Sequence, residues 1–257
     1  MTDATNLVGT FVWYDQMSND LPGAEAFYSK VVGWTLAPNT MNDQRYTLLQ
    51  MGAAMVGGLM PIPEHATGAR PAWMGYIAVD DVKAYADNVK AAGGAIHRPP
   101  TEIPNVGTFA VAADPHGAGF LLFRGNGDGA PGLDSDAPGH VGWRELHAGD
   151  GPSAFTFYSD VFGWAKGEAM DMGAQGKYQI FTTTAGQHGG MMTKMPDTPQ
   201  SMWAYYINVE AIDAAAERVI AAGGRMIVGP MPVPGDRWMS QALDPQGAMF
   251  GLLAPKR

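Results

Sequence analysis

The segment Phe27-Tyr28-Ser29-Lys30-Val31-Val32-Gly33-Trp34 occurs twice, because Phe157-Tyr158-Ser159-Asp160-Val161-Phe162-Gly163-Trp164 repeats its pattern 130 residues later. Other short blocks keep the same offset, among them Ala91-Ala92-Gly93-Gly94 and Asp114-Pro115-His116-Gly117-Ala118. A repeat of this length indicates a duplicated domain, since solenoid units have periods of roughly 20 to 50 residues. The sequence therefore predicts two copies of one plan.

The composition is that of a globular protein without a nucleic-acid or membrane partner. Of the 257 residues, 46% are hydrophobic and 16% charged, and the net charge is −9 without a Lys/Arg cluster. No apolar run is long enough to span a bilayer, and the N-terminus lacks the pattern of a signal peptide. The chain has no cysteine, which fits a reducing compartment. We expect a cytoplasmic protein that is a monomer or a homodimer.

Each copy shows the order strand, helix and three strands, and then the same order again. Gly9–Met17 is rich in β-forming residues. Asp20 is the expected N-cap of the first helix, which Gly33 ends, and Asp80 or Asp81 is the expected N-cap of the second. The further strands predicted in the first copy are residues 34–37, 46–51, 54–60, 73–79, 95–98, 108–113 and 119–123. Each copy is therefore predicted to contain two βαβββ modules.

A linker separates the two copies. Residues 125–139 contain five glycines, two prolines and three aspartates with almost no large apolar residue, so this stretch cannot bury enough surface to fold by itself. We predict a first domain at residues 9–123, a linker at 124–138 and a second domain at 139–253.

The paired βαβββ modules, the helix-end pattern Phe-Tyr-x-x-Val-x-Gly-Trp and the Asp-Pro-x-Gly turn before a last strand resemble the vicinal oxygen chelate superfamily. That superfamily includes glyoxalase I, extradiol dioxygenases and bleomycin-resistance proteins. The resemblance covers both copies and implies an α+β fold of tandem glyoxalase-like domains. In each domain, two paired modules are expected to form a curled mixed sheet around a cleft.

The metal site of such relatives is not expected in this chain. In relatives, the ligands come from the first and last strands of each module, and the metal acts as a Lewis acid. The residues at three of these positions are Trp13, Met74 and Leu121 in the first copy, and Trp143, Ala204 and Gly251 in the second. At the fourth, only the second copy offers a candidate, His188. A metal centre needs three or more convergent ligands, so we predict neither metal nor cofactor.

The polar residues of the first strands are the remaining candidates for chemistry. The two-residue period puts Trp13 and Asp15 on one face in the first copy, and Trp143, Glu145 and His147 on the matching face in the second. A carboxylate beside an imidazole can move a proton. Alternatively, each Trp fills the core while the acid is solvated or pairs with an arginine. We predict Glu145 and His147 as catalytic candidates, and Trp13, Asp15 and Trp143 as ligand-binding candidates.

Two tyrosines are further ligand-binding candidates. Tyr76 and Tyr206 lie two residues beyond the positions where relatives carry a histidine, and therefore on the same strand face. Their hydroxyls could contact a ligand. Core filling is the alternative for such a residue.

The sequence thus predicts a protein that binds a small apolar or aromatic molecule in a metal-free cleft. The alternative is a glyoxalase-like lyase or isomerase acting on a small carbonyl compound such as methylglyoxal or its adduct. It would use Glu145 with His147, or an unconventional metal site at His188. A third possibility is that one copy is purely structural. We expect chemistry in the second copy, since the first has Met17 in place of the imidazole.

Overall fold

The computed structural model describes residues 7–41, 44–127, 136–173 and 176–257. The order β-α-β-β-β occurs four times. In chain order the elements are β1 (Phe11–Ser18), α1 (Leu21–Val32), β2 (Thr35–Met41), β3 (Gln44–Met51), β4 (Ala54–Pro61), β5 (Ala72–Ala78), α2 (Val82–Ala91), β6 (Ala95–Ile103), β7 (Gly107–Ala113), β8 (Gly119–Gly125), β9 (Val141–Ala148), α3 (Gly151–Phe162), β10 (Ala165–Asp171), β11 (Lys177–Thr183), β12 (Gly186–Thr193), β13 (Met202–Asn208), α4 (Ile212–Ala221), β14 (Arg225–Val233), β15 (Arg237–Leu243) and β16 (Met249–Ala254).

The strands form two eight-stranded sheets with the same topology. The orders are β2-β3-β4-β1-β5-β8-β7-β6 and β10-β11-β12-β9-β13-β16-β15-β14. In the first sheet, β1 pairs with β4 and β5 pairs with β8 in parallel, whereas the hairpin neighbours are antiparallel. Both sheets are mixed, and the prediction of an α+β chain with tandem domains of paired modules is confirmed.

The predicted signals delimit the helices. The side chain of Asp20 accepts from the backbone N–H of Gly23 at the start of α1, and Gly33 ends that helix with φ 91°. A left-handed residue at this point favours glycine. For α2 the cap is Asp81, which accepts from two backbone N–H groups. Its counterpart in α4 is Ala211, which provides no side-chain cap.

Strand β6 is longer than the sequence predicted. The predicted strand covered residues 95–98, but β6 continues through Pro99 and Pro100 to Ile103. Strand β6 lies at the edge of its sheet, where a missing N–H need not interrupt a ladder on both sides. Its pairing with β7 shifts register between Arg98 and Thr101, which accommodates the two prolines.

The chain divides into two compact units that do not coincide with the two sequence copies. The first unit lies within Met1–Trp13, Gly75–Ala130 and Arg144–Trp203, and the second within Tyr14–Met74, Pro131–Trp143 and Ala204–Arg257. Each unit therefore combines most of one module from each copy. Of the predicted linker 124–138, residues 128–135 lie outside the described residues. The proposed domain boundaries stay a prediction.

In the first unit, the repeated helix-end pattern forms an aromatic core. The indole of Trp164 stacks on the ring of Tyr158, with centroids 4.8 Å apart, and on that of Phe181 at 4.2 Å. Trp203 Nε1 donates to Tyr158 Oη over 2.9 Å, and Tyr158 Oη donates to Asp114 Oδ2 over 3.4 Å. Asp114 belongs to the Asp-Pro-x-Gly turn of the first copy, so this bond joins the two copies.

The second unit contains the reciprocal arrangement. Trp73 Nε1 donates to Tyr28 Oη over 2.9 Å, and Tyr28 Oη donates to Asp244 Oδ2 over 3.1 Å. Trp34 Nε1 donates to the carbonyl of Gly139 over 2.9 Å. Burial raises the pKa of the Asp244 carboxyl, and burial together with the Asp244 charge raises the pKa of Tyr28. In both units, the tyrosine of the repeated helix is thus bonded to an aspartate of the other copy.

Candidate active site

Strand β9 carries three of the predicted site residues in alternation. Glu145 is 8% exposed, whereas Trp143 and His147 are half-buried. On β1, Asp15 is 3% exposed and Trp13 is half-buried. Neither acid is solvated, contrary to one of the alternatives left open by the sequence.

In the first compact unit, Glu145 lies between a phenol and an imidazole. Tyr178 Oη on β11 donates to Glu145 Oε2 over 3.0 Å. His147 Nε2 lies 3.0 Å from Glu145 Oε1. This second contact is close enough for an ion pair, but its geometry is not that of a linear hydrogen bond, since Nε2 has no aligned acceptor. The arrangement places three groups that can exchange protons in direct contact.

The acid of the first copy has a tyrosine partner but a different neighbour on its strand. Tyr46 Oη on β3 donates to Asp15 Oδ1 over 2.6 Å within the second compact unit. The β1 residue that corresponds to His147 is Met17. A thioether cannot take up a proton near neutral pH, so this acid and tyrosine lack the imidazole of the second copy.

Sequence reasoning missed Tyr46 and Tyr178, which lie two strands away from the acids they contact. The intervening strand has a glycine at the crossing point. Gly58 pairs with Asp15, and Gly190 pairs with Glu145. A Cβ at Gly58 would collide with the hydroxyl of Tyr46, and one at Gly190 would collide with the ring of Tyr178. Glycine therefore allows each phenol to cross the strand and reach the carboxylate.

The other predicted ligand-binding residues lie in separate surroundings. Tyr206 is 2% exposed and packs with Ala204 and Leu253, and Trp143 lies against this cluster in the second unit. Gln241 Nε2 donates to Tyr206 Oη over 2.6 Å, so the hydroxyl is already engaged. In the first unit, the half-buried Tyr76 lies edge-to-face with the ring of Phe123 at 5.8 Å.

The donor set does not fit the metal centre of the resembled superfamily. An indole nitrogen donates and cannot ligate, which disqualifies Trp13 and Trp143. At Gly251, a Cβ would collide with the ring of Tyr206, so a carboxylate side chain has no room there unless that ring moves. Across residues 7–41, 44–127, 136–173 and 176–257, no group of three or more His, Cys, Asp or Glu residues is placed to hold a metal ion.

His188 is buried, and in the part of the chain that the structure describes it belongs to no group of three or more His, Cys, Asp or Glu residues that could hold a metal ion. The β11–β12 pairing shifts register between Phe181 and Thr182, which leaves His188 in a bulge. The side chain is 5% exposed, and Arg144 donates to its carbonyl over 3.5 Å. Burial, with the Arg144 charge as a second cause, lowers the pKa of His188 to about 3. The imidazole is therefore neutral at physiological pH.

Comparisons with known proteins agree with this fold. A family model described as the Glyoxalase/Bleomycin resistance protein/Dioxygenase superfamily matches residues 10–122 and 138–252. The chain is 32% identical over 251 residues to "Putative glyoxylase CFP32" of Mycobacterium tuberculosis, which covers 96% of this chain and 95% of that protein. It is 29% identical over 265 residues to "Anthracycline biosynthesis protein DnrV" of Streptomyces peucetius, and this match covers 95% of this chain and 93% of that protein.

A solved structure has the same fold at lower sequence identity. The Mn(II)-bound glyoxalase from Novosphingobium aromaticivorans aligns with a TM-score of 0.67 at 18% identity, covering 96% of this chain and 82% of that one.

In the part of the chain that the structure describes, no helix is long and apolar enough to cross a membrane.

Proposed function

Because the chain belongs to the glyoxalase/bleomycin resistance protein/dioxygenase superfamily, we propose that it binds a small apolar or aromatic molecule through strand β9 of the second copy, without the usual metal centre. The observation that carries the proposal is the buried carboxylate of Glu145, which accepts a hydrogen bond from Tyr178 and lies beside the half-buried imidazole of His147. Ligand sites are largely apolar and contain a small number of polar groups, which fix the orientation of the bound molecule.

The names of two relatives support different versions of this function. The Streptomyces peucetius protein is named for anthracycline biosynthesis, and anthracyclines are polycyclic aromatic compounds. This name favours an aromatic ligand. The Mycobacterium tuberculosis protein is named as a glyoxylase, which favours the alternative of a lyase or isomerase acting on a small carbonyl compound.

The 3.0 Å contact between Glu145 and His147 is the observation that favours this alternative. A carboxylate and an imidazole in contact can remove a proton from carbon and return it elsewhere. Turnover of methylglyoxal, with or without a thiol to form its adduct, would identify the enzyme. Metal analysis of the tag-free protein would then show whether a metal is required, and we expect less than one zinc, nickel, iron or manganese ion per chain.

A pair of conservative substitutions tests the assignment to the second copy. Glu145→Gln should weaken the binding of an aromatic probe by about 5-fold to 150-fold, since it disturbs a buried polar cluster whose hydrogen bonds to a charged group contribute roughly 1–3 kcal/mol each. Asp15→Asn, the matched change in the first copy, should alter the affinity little. Mass spectrometry of molecules that co-purify with the protein would supply the natural ligand. If both substitutions leave binding unchanged, or if only Asp15→Asn weakens it, the assignment is wrong.

The cytoplasmic location and the monomeric or homodimeric state stay predictions. Light scattering coupled to gel filtration measures the latter directly.

A further inference from the structure

Both carboxylate oxygens of Glu145 are engaged before any ligand arrives. Oε2 accepts from Tyr178, and Oε1 lies 3.0 Å from His147 Nε2. The side chain of Glu145 keeps only 11% of its surface exposed. A carboxylate engaged at both oxygens and largely buried is better suited to orienting its neighbours than to contacting a ligand.

Of the two ring nitrogens of His147, the buried Nε2 is the one that faces the carboxylate of Glu145. Nε2 is inaccessible to solvent, although the side chain keeps 13% of its surface exposed. The exposed surface therefore belongs to other atoms of the side chain. In a neutral imidazole, one ring nitrogen carries the proton and the other has a lone pair that can accept a hydrogen bond. Neighbouring polar groups determine which nitrogen carries the proton. A carboxylate at Nε2 favours the proton there, which leaves the lone pair on Nδ1.

Tyr178 and Gly190 fix the position of the Glu145 carboxylate. Tyr178 can bond Glu145 only because Gly190 leaves the strand between them open. The first copy contains the corresponding Tyr46 and Gly58 but carries Met17 at the strand position of His147. The second copy thus has one additional group, the imidazole of His147. The position of its proton is set by an acid and a tyrosine, which both copies contain.

From this geometry we propose that His147 Nδ1 is the atom that meets the ligand, as a hydrogen-bond acceptor, and that Glu145 and Tyr178 are positioning residues. The ligand class follows from the acceptor. It is an aromatic or conjugated molecule with an acidic hydroxyl group, that is, a phenol or an enol. This inference rests on the proposed function and names the polar group that its ligand must carry.

The first experiment compares two probes that differ in one hydroxyl group. The affinities of 4-cyanophenol and benzonitrile are measured by calorimetry on the full chain. Wild-type protein should bind the phenol about 5-fold to 10-fold more tightly, which corresponds to one hydrogen bond. His147→Met, which copies the residue found at Met17, should bring the two affinities together. His97→Gln, at an exposed histidine, should keep the wild-type ratio.

The outcomes separate the inference from the proposed function. If neither probe binds, the proposed aromatic site is wrong. If both bind equally to wild-type protein, or if His147→Met keeps the preference for the phenol, only the inference is overturned. Unfolding curves recorded on each variant confirm that it is folded before its affinities are compared.

The second experiment needs no ligand. Nitrogen-15 shifts of His147 report which ring nitrogen carries the proton, and we expect Nε2. Gly190→Ala should displace Tyr178 and alter these shifts, and Tyr178→Phe should do the same if the first variant folds poorly. Gly58→Ala, the matched change in the first copy, should leave them unchanged. A proton on Nδ1 in the wild-type protein, or shifts that respond to neither Gly190→Ala nor Tyr178→Phe, would overturn the positioning role.

Discussion

Replacing His188 by valine should remove one cause of the loss of folding stability at low pH. The side chain is 5% exposed, and burial with the Arg144 charge lowers the pKa of the imidazole to about 3. The first copy has a bulge at the same place, where its β3–β4 pairing shifts register next to Val56. Valine is therefore compatible with this backbone, and the substitution removes the titrating group without introducing a new polar one.

The size of the effect follows from the two protonation equilibria. In the unfolded chain, His188 takes up a proton near its ordinary pKa of 6.5, whereas the folded protein resists it until about pH 3. Between these values the unfolded state binds more protons, so stability falls as the pH falls. Each pH unit costs about 1.4 kcal/mol. A fall in pH from 7.5 to 5.0 ends about 1.5 pH units below the pKa of His188 in the unfolded chain. Over this range, His188 should lower the free energy of unfolding of the wild-type protein by about 2 kcal/mol.

The assay is urea unfolding of both proteins at pH 7.5 and pH 5.0. Other groups also contribute to the pH dependence, including Asp114 and Asp244, whose pKa values are raised by burial and whose effect on stability has the opposite sign. Subtracting the change in the variant from that in the wild type removes these shared contributions. His97→Gln serves as a control at an exposed histidine. An equal loss of stability in wild type and His188→Val would refute the reasoning.

Further predictions concern the aromatic core and Gly251, which occupies a position where metal-using relatives carry a ligand. Tyr158→Phe removes the hydroxyl that links Trp203 Nε1 to the Asp114 carboxylate. It should lower the free energy of unfolding by about 1–3 kcal/mol, because two buried polar groups lose a partner; an unchanged urea midpoint would contradict this. Gly251→Ala forces a Cβ into the ring of Tyr206 and should cost about 1–3 kcal/mol through overpacking. Wild-type thermal stability in this variant would show that the ring can move aside at little cost.

Much of the fold could be predicted because its signals are local. Asp20 and Gly33 act on the helix between them through neighbouring N–H and carbonyl groups, so residue type alone identifies the helix ends. The strand faces follow from the two-residue period in the same way. Strand β6 is longer than predicted because it lies at the edge of its sheet, where Pro99 and Pro100 need not interrupt the pairing, and only the topology reveals this position.

The contacts of the acids depend on distant residues and could not be derived from the period. Tyr178 reaches Glu145 across a whole strand, which requires knowledge of the strand order and of the register at Gly190. One signal was nevertheless present. Tyr46 precedes Gly58 by 12 residues, and Tyr178 precedes Gly190 by 12 residues (58 − 46 and 190 − 178). This shared spacing is visible in the repeat but gains a meaning only when the glycine is known to lie between the phenol and the acid.

The bonds between the two copies determine the order in which the protein can assemble during synthesis. Tyr28 is made early, but its partner Asp244 follows 216 residues later. The first compact unit needs no residue beyond Trp203, whereas the second needs the C-terminal segment that begins at Ala204. The unit that contains most of the first module therefore cannot be completed before the segment after Ala204 has been made. A chain truncated within the second copy before Asp244 would leave Tyr28 of helix α1 without its partner turn.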